Sequence, residues 1–281
     1  ILIGSDSGAS VRSELKNWLV APSGTLVVGA TFAFVTSDAG LGPGAEDDEL
    51  KFTDVAMINP SARYSFTDSF EIAGGVGVLV KQPPDLDESI LQSASLGGRL
   101  SVGDASAVFL NTGGGALLAD LGLWGTAAAG FQHRLVPDRL LTFDLRAGAS
   151  GLALSRDDLD ATQWLGEVFV GGEALMHDPR GNVGVWAGID VAFPVVHDPD
   201  DATFDPQTRV GFHAGAALGI VEDLDLFALG SIIDRGDTDS AGTTLPILAG
   251  GFDQVQIIFG VMKRFDLDED ETSKPMMFQA L

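Results

Sequence analysis

The chain has 281 residues, 40 acidic against 16 basic, a formal net charge of −24 and no cysteine. That charge repels phosphate backbones and argues against nucleic-acid binding, while the missing cysteines exclude disulfides, Cys-containing zinc sites and thiol catalysis. Its length suits one soluble core or one closed barrel equally, and its 36 glycines sit inside apolar stretches rather than in linkers. It begins at Ile1 with no charged n-region ahead of an apolar stretch, as expected of a processed or excised product.

The first predicted element is a short amphipathic helix over Ser10–Val20, with Val11, Leu15, Trp18 and Leu19 at helical spacing and Pro22-Ser23-Gly24 ending it. Packing on a turn, plugging a barrel mouth and lying in a headgroup layer all fit such a segment. Residues 1–24 are read as a unit apart from the strands that begin at Thr25.

From Thr25 onward the chain alternates with period two, in runs of roughly 10–15 residues that exceed the usual soluble strand of about 5–6. Leu26, Val28, Ala30, Phe32 and Phe34 share one face of the first run, against Val27, Gly29, Thr31 and Ala33. Phe70, Ile72, Val76, Val78 and Val80 oppose Glu71, Ala73, Gly75 and Gly77. Lys51–Phe66, Leu91–Val102 and Ala105–Ala116 also read as strands, although Pro60 interrupts the first and Gly113–Gly115 loosens the last. The weakly charged window Ala105–Phe131 carries Asp120 and many glycines, so it reads as two strands and a loop rather than a helical span.

Further on, Leu141, Phe143, Leu145, Ala147 and Ala149 oppose Thr142, Asp144, Arg146, Gly148 and Ser150. The odd positions from Val183 to Val195 oppose Gly184, Trp186, Gly188 and Asp190, and Val210, Phe212, Ala214, Ala216, Leu218 and Ile220 oppose Arg209, Gly211, His213, Gly215 and Gly219. A soluble sandwich turns the apolar face inward and a barrel in lipid turns it outward; parity alone fits both.

Connection lengths favour the barrel. Tight turns rich in Asp, Gly or Pro fall near Thr67–Ser69, Gly103–Ala105, Pro137–Arg139, Asp178–Gly181 and Glu222–Asp223. Longer polar loops alternate with them near Ser37–Glu49, Gln82–Ser89, Leu117–Gly122, Ser155–Ala161, His197–Pro206 and Asp237–Gly250. Short turns on one side and long loops on the other are the habit of membrane barrels. The expectation is therefore an all-β fold, a transmembrane antiparallel up-and-down barrel of about twelve strands over 25–265, with both termini on the short-turn side. An acidic tail or linker, 266–281, completes the chain.

The final strand, Val255–Phe265, carries Gly260 and a closing aromatic, Phe265, at the spacing of a barrel-assembly signal, with Ile258 where a polar residue is usual and Lys263 where an apolar one is. On these features the chain resembles the bacterial outer-membrane β-barrel class, porin-like or small, over Thr25 to Phe265. The resemblance implies residence in the bacterial outer membrane, contact with its lipid and lipopolysaccharide, and handling by the barrel-assembly machinery. A homo-oligomer or an extracellular or periplasmic protein partner also fits it. Tyr64 is the only tyrosine, and Trp124 and Trp164 fall at loop-side strand ends, where interfacial anchoring would place them.

With the apolar face outward, the predicted lumen is lined by Arg63, Glu71, Arg99, Arg134, Asp144, Arg146, Glu167, Glu173, Asp190, Arg209, His213 and Arg264, with Gln132, Gln254 and Gln256. Facing rows of acid and Arg would sieve small polar solutes, and the same residues would as readily fill a closed lumen with salt bridges.

The acidic clusters Glu46–Glu49, Asp157–Asp160, Asp198–Asp201 and Asp266–Glu271 read as solvated loops able to bind Ca²⁺ loosely; none fits an EF-hand, since Glu271 stands where the loop needs Gly. The four histidines lack metal-ligand spacing, and there is no Gly-x-Ser-x-Gly elbow or phosphate-cradling loop. No cofactor and no catalytic residue is expected. Three functions stay open: a passive channel for small polar or cationic solutes, a closed barrel anchoring a partner or further domain, and a soluble all-β binding protein.

Overall fold

A strand in lipid cannot leave its N–H and C=O groups unpaired, so alternating strands of this length are stable there only when both edges of every strand are paired. A computed structural model describes residues 19–37, 50–81, 91–116, 122–138, 140–156, 162–178, 182–197, 207–221, 223–234 and 254–267, and among them twelve strands form. These are β1 (Thr25–Ser37), β2 (Leu50–Thr67), β3 (Phe70–Lys81), β4 (Leu91–Ser101), β5 (Ser106–Ala116) and β6 (Gly122–Asp138). The second half contributes β7 (Leu141–Arg156), β8 (Thr162–His177), β9 (Val183–His197), β10 (Arg209–Val221), β11 (Leu224–Asp234) and β12 (Gln254–Asp266).

Each strand pairs with its neighbours in sequence, and β1 closes the barrel on β12, antiparallel, from Thr25↔Asp266 to Ser37↔Gln254. The expected all-β barrel and its strand count are what the structure contains.

Strands of 11 to 18 residues are ample for a tilted bilayer crossing, which takes about 9–11. The sheet's two faces differ sharply. On β7, Thr142, Asp144 and Arg146 are buried while Phe143 and Leu145 are exposed; on β11, Asp225, Phe227, Leu229, Ser231 and Ile233 are buried while Leu226 and Ile232 are exposed. The charged and small residues thus face the lumen. The outward belt is apolar, with Leu110 60% exposed and Val170 51% exposed, a surface suited to lipid rather than water.

Aromatic rings gather outward at the short-turn end: Tyr64 meets Phe66 edge-on with centroids 4.7 Å apart, and Phe66 stacks on Phe70 at 5.9 Å. Amphipathic or flat rings at the bilayer boundary anchor a barrel vertically. Trp164 points outward, 42% exposed, but Trp124 departs from the sequence expectation. It shares its parity with Thr126 and Ala128, is 4% exposed, and its indole N–H donates to the Ala116 carbonyl at 3.2 Å. It is a lumen-side residue, not an interfacial anchor.

Pro60 does not end its strand. Pairing with β1 continues at Ala30↔Pro60, whereas the β2–β3 ladder runs to Ile58↔Val78 and resumes at Ser61↔Gly75, so the missing N–H costs the ladder only a local gap. At the short-turn end Asp223 (φ 63°) and Gly103 (φ 110°) take left-handed conformations that Asp tolerates and Gly favours.

The segments joining strands at the other end, 38–49, 82–90, 117–121, 157–161, 198–208 and 235–253, together hold 19 acidic residues and one basic residue, Arg235. Of the predicted helix over Ser10–Val20, only Leu19 and Val20 lie within the described residues, and they form a bend. The acidic clusters read as solvated loops able to bind Ca²⁺ loosely lie outside those residues, Asp266 and Leu267 excepted.

Candidate functional site

The inner face places six arginines, Arg63, Arg99, Arg134, Arg146, Arg209 and Arg264, beside six buried acids, Glu71, Asp144, Glu167, Glu173, Asp190 and Asp225. The described lumen wall is therefore balanced in charge before His213 is counted. Asp225, 1% exposed, is a lumen residue that the sequence expectation lacks. It stands directly after a predicted turn, and the sign that it faces inward is its parity with Ser231.

The strongest pair is Arg134 with Asp144, directly opposite each other on β6 and β7, whose fork makes bonds of 2.7 and 2.6 Å while Gln132 donates to the same carboxylate at 3.0 Å. Arg264 donates to Asp225 at 2.5 Å and lies 3.5 Å from Asp223. Glu71 sits between Arg63 at 3.6 Å and Arg99 at 3.8 Å. Arg209 reaches Glu167 at 3.5 Å. Each of these pairs joins strands no more than two apart, so the charges lie along the wall rather than across the axis.

Glycines make this possible. Arg146 of β7, Gly171 of β8 and Asp190 of β9 occupy one row, and the guanidinium meets the carboxylate over the glycine at 3.2 Å. The same device recurs one step on: His213 of β10 lies over Gly188 of β9 to reach Glu173 of β8 at 2.9 Å, with Asp190 3.6 Å from its other ring nitrogen. A Cβ on Gly188 would lie 2.5 Å from that ring.

Aromatics use glycines likewise. Phe109, Gly130, Gly148 and Phe169 form one row, and the two rings meet over the paired glycines with centroids 6.3 Å apart. Trp186 lies over Gly215, and Phe227 over Gly260. Phe227 belongs to an apolar cluster with Val27, Ala217 and Met262, packed by Trp186 and Ile258. An inward Ile at position 258 is thus explained by its neighbours.

Polar groups remain between these pairs. The hydroxyls of Ser65, Ser93, Thr126 and Ser231 and the amide nitrogen of Gln256 are buried without a hydrogen-bond partner among the described residues. Such groups are normally satisfied by water. The Gln254 backbone pairs with Ile233 of β11 and Ser37 of β1. His133 faces outward, hydrogen-bonded to Ser106 at 2.8 Å, whereas His177 shares the inner parity of Glu173 and Leu175.

No family model matches the chain, and no curated protein matches it in sequence. Solved structures match its fold. An outer membrane channel from Pseudomonas putida F1 superposes with a TM-score of 0.53 at 11% identity, over 89% of this chain and 98% of that one. The translocator domain of autotransporter NalP from Neisseria meningitidis does so with 0.54 at 12% identity, over 90% and 92%. The chain has the fold of bacterial outer-membrane β-barrels.

The assembly pattern expected from the sequence falls on Gly260 and Phe265 of β12. Gly260 lies inward beneath the Phe227 ring, and Phe265 lies outward with the Lys263 ammonium 5.2 Å from its ring centre. That contact lets Lys263 stand on an apolar face at the membrane boundary, its stem covering the ring and its charge reaching water.

Proposed function

We propose that this outer-membrane barrel is a passive channel for small polar solutes. The observation that carries the reading is the way lumen charge is held: six arginines and six acids line the wall, and their described ion pairs run along it between strands one or two apart. Buried hydroxyls that need water point the same way. A balanced wall discriminates weakly between ions. The excess of 19 acids over one base in the long-loop segments would then enrich cations at that mouth. The Pseudomonas putida match, an outer membrane channel by name, is in keeping with this reading.

The second reading is a closed anchoring barrel. It is favoured by how little of the inner face is exposed, with Met57 at 1% and Phe169 and Gln132 at 2%. Single-channel recording in planar bilayers separates the two. A channel gives stable open steps whose cation preference falls in Asp190→Asn and rises in Arg146→Ala. A closed barrel inserts without conducting.

A further inference from the structure

Before entering β1 the chain makes contacts that barrel closure does not require. Gly24 (φ 76°) turns the backbone under the short-turn mouth, donating its N–H to the Ser65 carbonyl at 2.9 Å and accepting from Leu267 at 3.0 Å. Ser23 takes hold of the β2–β3 turn through Asp68 at 2.9 Å and the Phe66 carbonyl at 3.2 Å. Ala21 then donates its N–H to the Glu71 carboxylate at 3.3 Å, and the Leu19 carbonyl accepts from the Arg99 guanidinium at 3.2 Å. Glu71 and Arg99 are inward-facing residues of β3 and β4, so the segment passes from β1 beneath β2 and β3 to β4. It lies on the lumen side, where Ala21 is 2% and Leu19 8% exposed.

We propose that Leu19–Gly24 is a strap closing the short-turn mouth on its β2–β4 side, and that the Glu71–Arg99 pair is the catch that holds it. The two ends differ in kind. The Ser23–Gly24 end is tied to turn and strand backbone and acts as a fixed hinge. Among the described residues the Leu19–Ala21 end is held by two side-chain contacts to a charged pair that also satisfies itself, so these contacts can release without stranding either charge. Glu71 keeps Arg63 and Arg99 when Ala21 leaves. A strap of this kind sets the open fraction of the lumen; that consequence, unlike the catch, rests on the channel reading.

Thiol accessibility tests the catch directly, because the chain has no cysteine of its own. Ala21→Cys in the folded, detergent-solubilised protein should react with a charged maleimide roughly tenfold more slowly than Pro22→Cys, which stands at an exposed neighbouring position. Adding Arg99→Ala should bring the two rates together. If Arg99→Ala prevents folding, Leu19→Cys is tested with and without Ala21→Pro, which removes the N–H donated to Glu71 and leaves the Glu71 and Arg99 side chains in place. Equal rates for Ala21→Cys and Pro22→Cys in the otherwise native chain would overturn the strap. A slow rate unmoved by either release variant would overturn the catch. In planar bilayers the release variants should raise the open fraction. If labelling behaves as expected and no variant conducts, the channel reading fails while the strap stands.

Discussion

Arg146 and Asp190 stand two strands apart and meet across Gly171 of the strand between them, guanidinium to carboxylate at 3.2 Å. The pair exists because the middle residue has no side chain: a Cβ there would coincide with the position of the Asp190 carboxylate. Breaking the pair strips the buried Asp190 of its nearest described cation, so Arg146→Ala should cost about 3 kcal/mol of stability. Gly171→Ala displaces the acid from the same partner. In a double-mutant cycle read by urea unfolding in micelles, the two losses should fall short of additive by about 1 kcal/mol or more. Strict additivity would mean that the glycine does not create the pair.

Gly148 poses the aromatic version of this constraint. A Cβ would lie 2.3 Å from the Ala129 carbonyl oxygen and 2.6 Å from the Phe169 ring, and the backbone of β6 cannot yield as a side-chain tip can. Gly148→Ala should therefore cost about 1–3 kcal/mol, lowering the temperature at which the folded, fast-migrating band is lost on gels. Gly151→Ala on the same strand, whose Cβ meets only the Leu165 carbonyl at 3.9 Å, should leave that temperature nearly unchanged.

Two aspartates at the junction of β10 and β11 should behave differently. Asp225 is 1% exposed beneath Arg264, whereas the Asp223 side chain is 47% exposed and its backbone is left-handed. Asp225→Asn should destabilise by about 2–3 kcal/mol by weakening a buried charge-assisted pair. Asp223→Gly should be neutral or slightly stabilising, since glycine adopts that conformation freely. Equilibrium unfolding of both variants checks the contrast.

On the outer face, position along the strand should decide the cost. Ile189, near the middle of β9 and 43% exposed, faces the centre of the apolar belt, and Ile189→Lys should cost about 2–4 kcal/mol in lipid. Phe265→Lys, at the short-turn boundary, should cost about 0–1 kcal/mol by the same depth rule. Folding into vesicles measures both, and equal costs would deny that the belt is depth-ordered.

Much of this architecture was legible because it is local. Alternation of Thr142, Asp144 and Arg146 with Phe143 and Leu145 needs only adjacent positions, and turn residues such as Pro137 and Glu222-Asp223 mark strand ends by their own chemistry. The rows were not legible, because the meeting of Phe109 with Phe169 depends on how β5, β6, β7 and β8 slide past one another, and no single strand records that register. Trp124 misled for a related reason: its place at a strand end suggested an interface, but parity with Thr126 turned it inward. Leu19 looked like part of a helical stripe, and its bond with Arg99 joins residues far apart in sequence.

The orientation of the two faces underlies every statement about the lumen, and a cysteine scan of β7 in lipid vesicles tests it most directly. Single cysteines at 142, 144, 146 and 150 should react with a small water-soluble thiol reagent, while those at 143, 145, 147 and 149 should react only with a lipid-soluble one. That strict alternation is the predicted result. Water-soluble labelling at the odd positions, with the even positions inert to it, would reverse the faces and contradict a charged lumen inside an apolar belt.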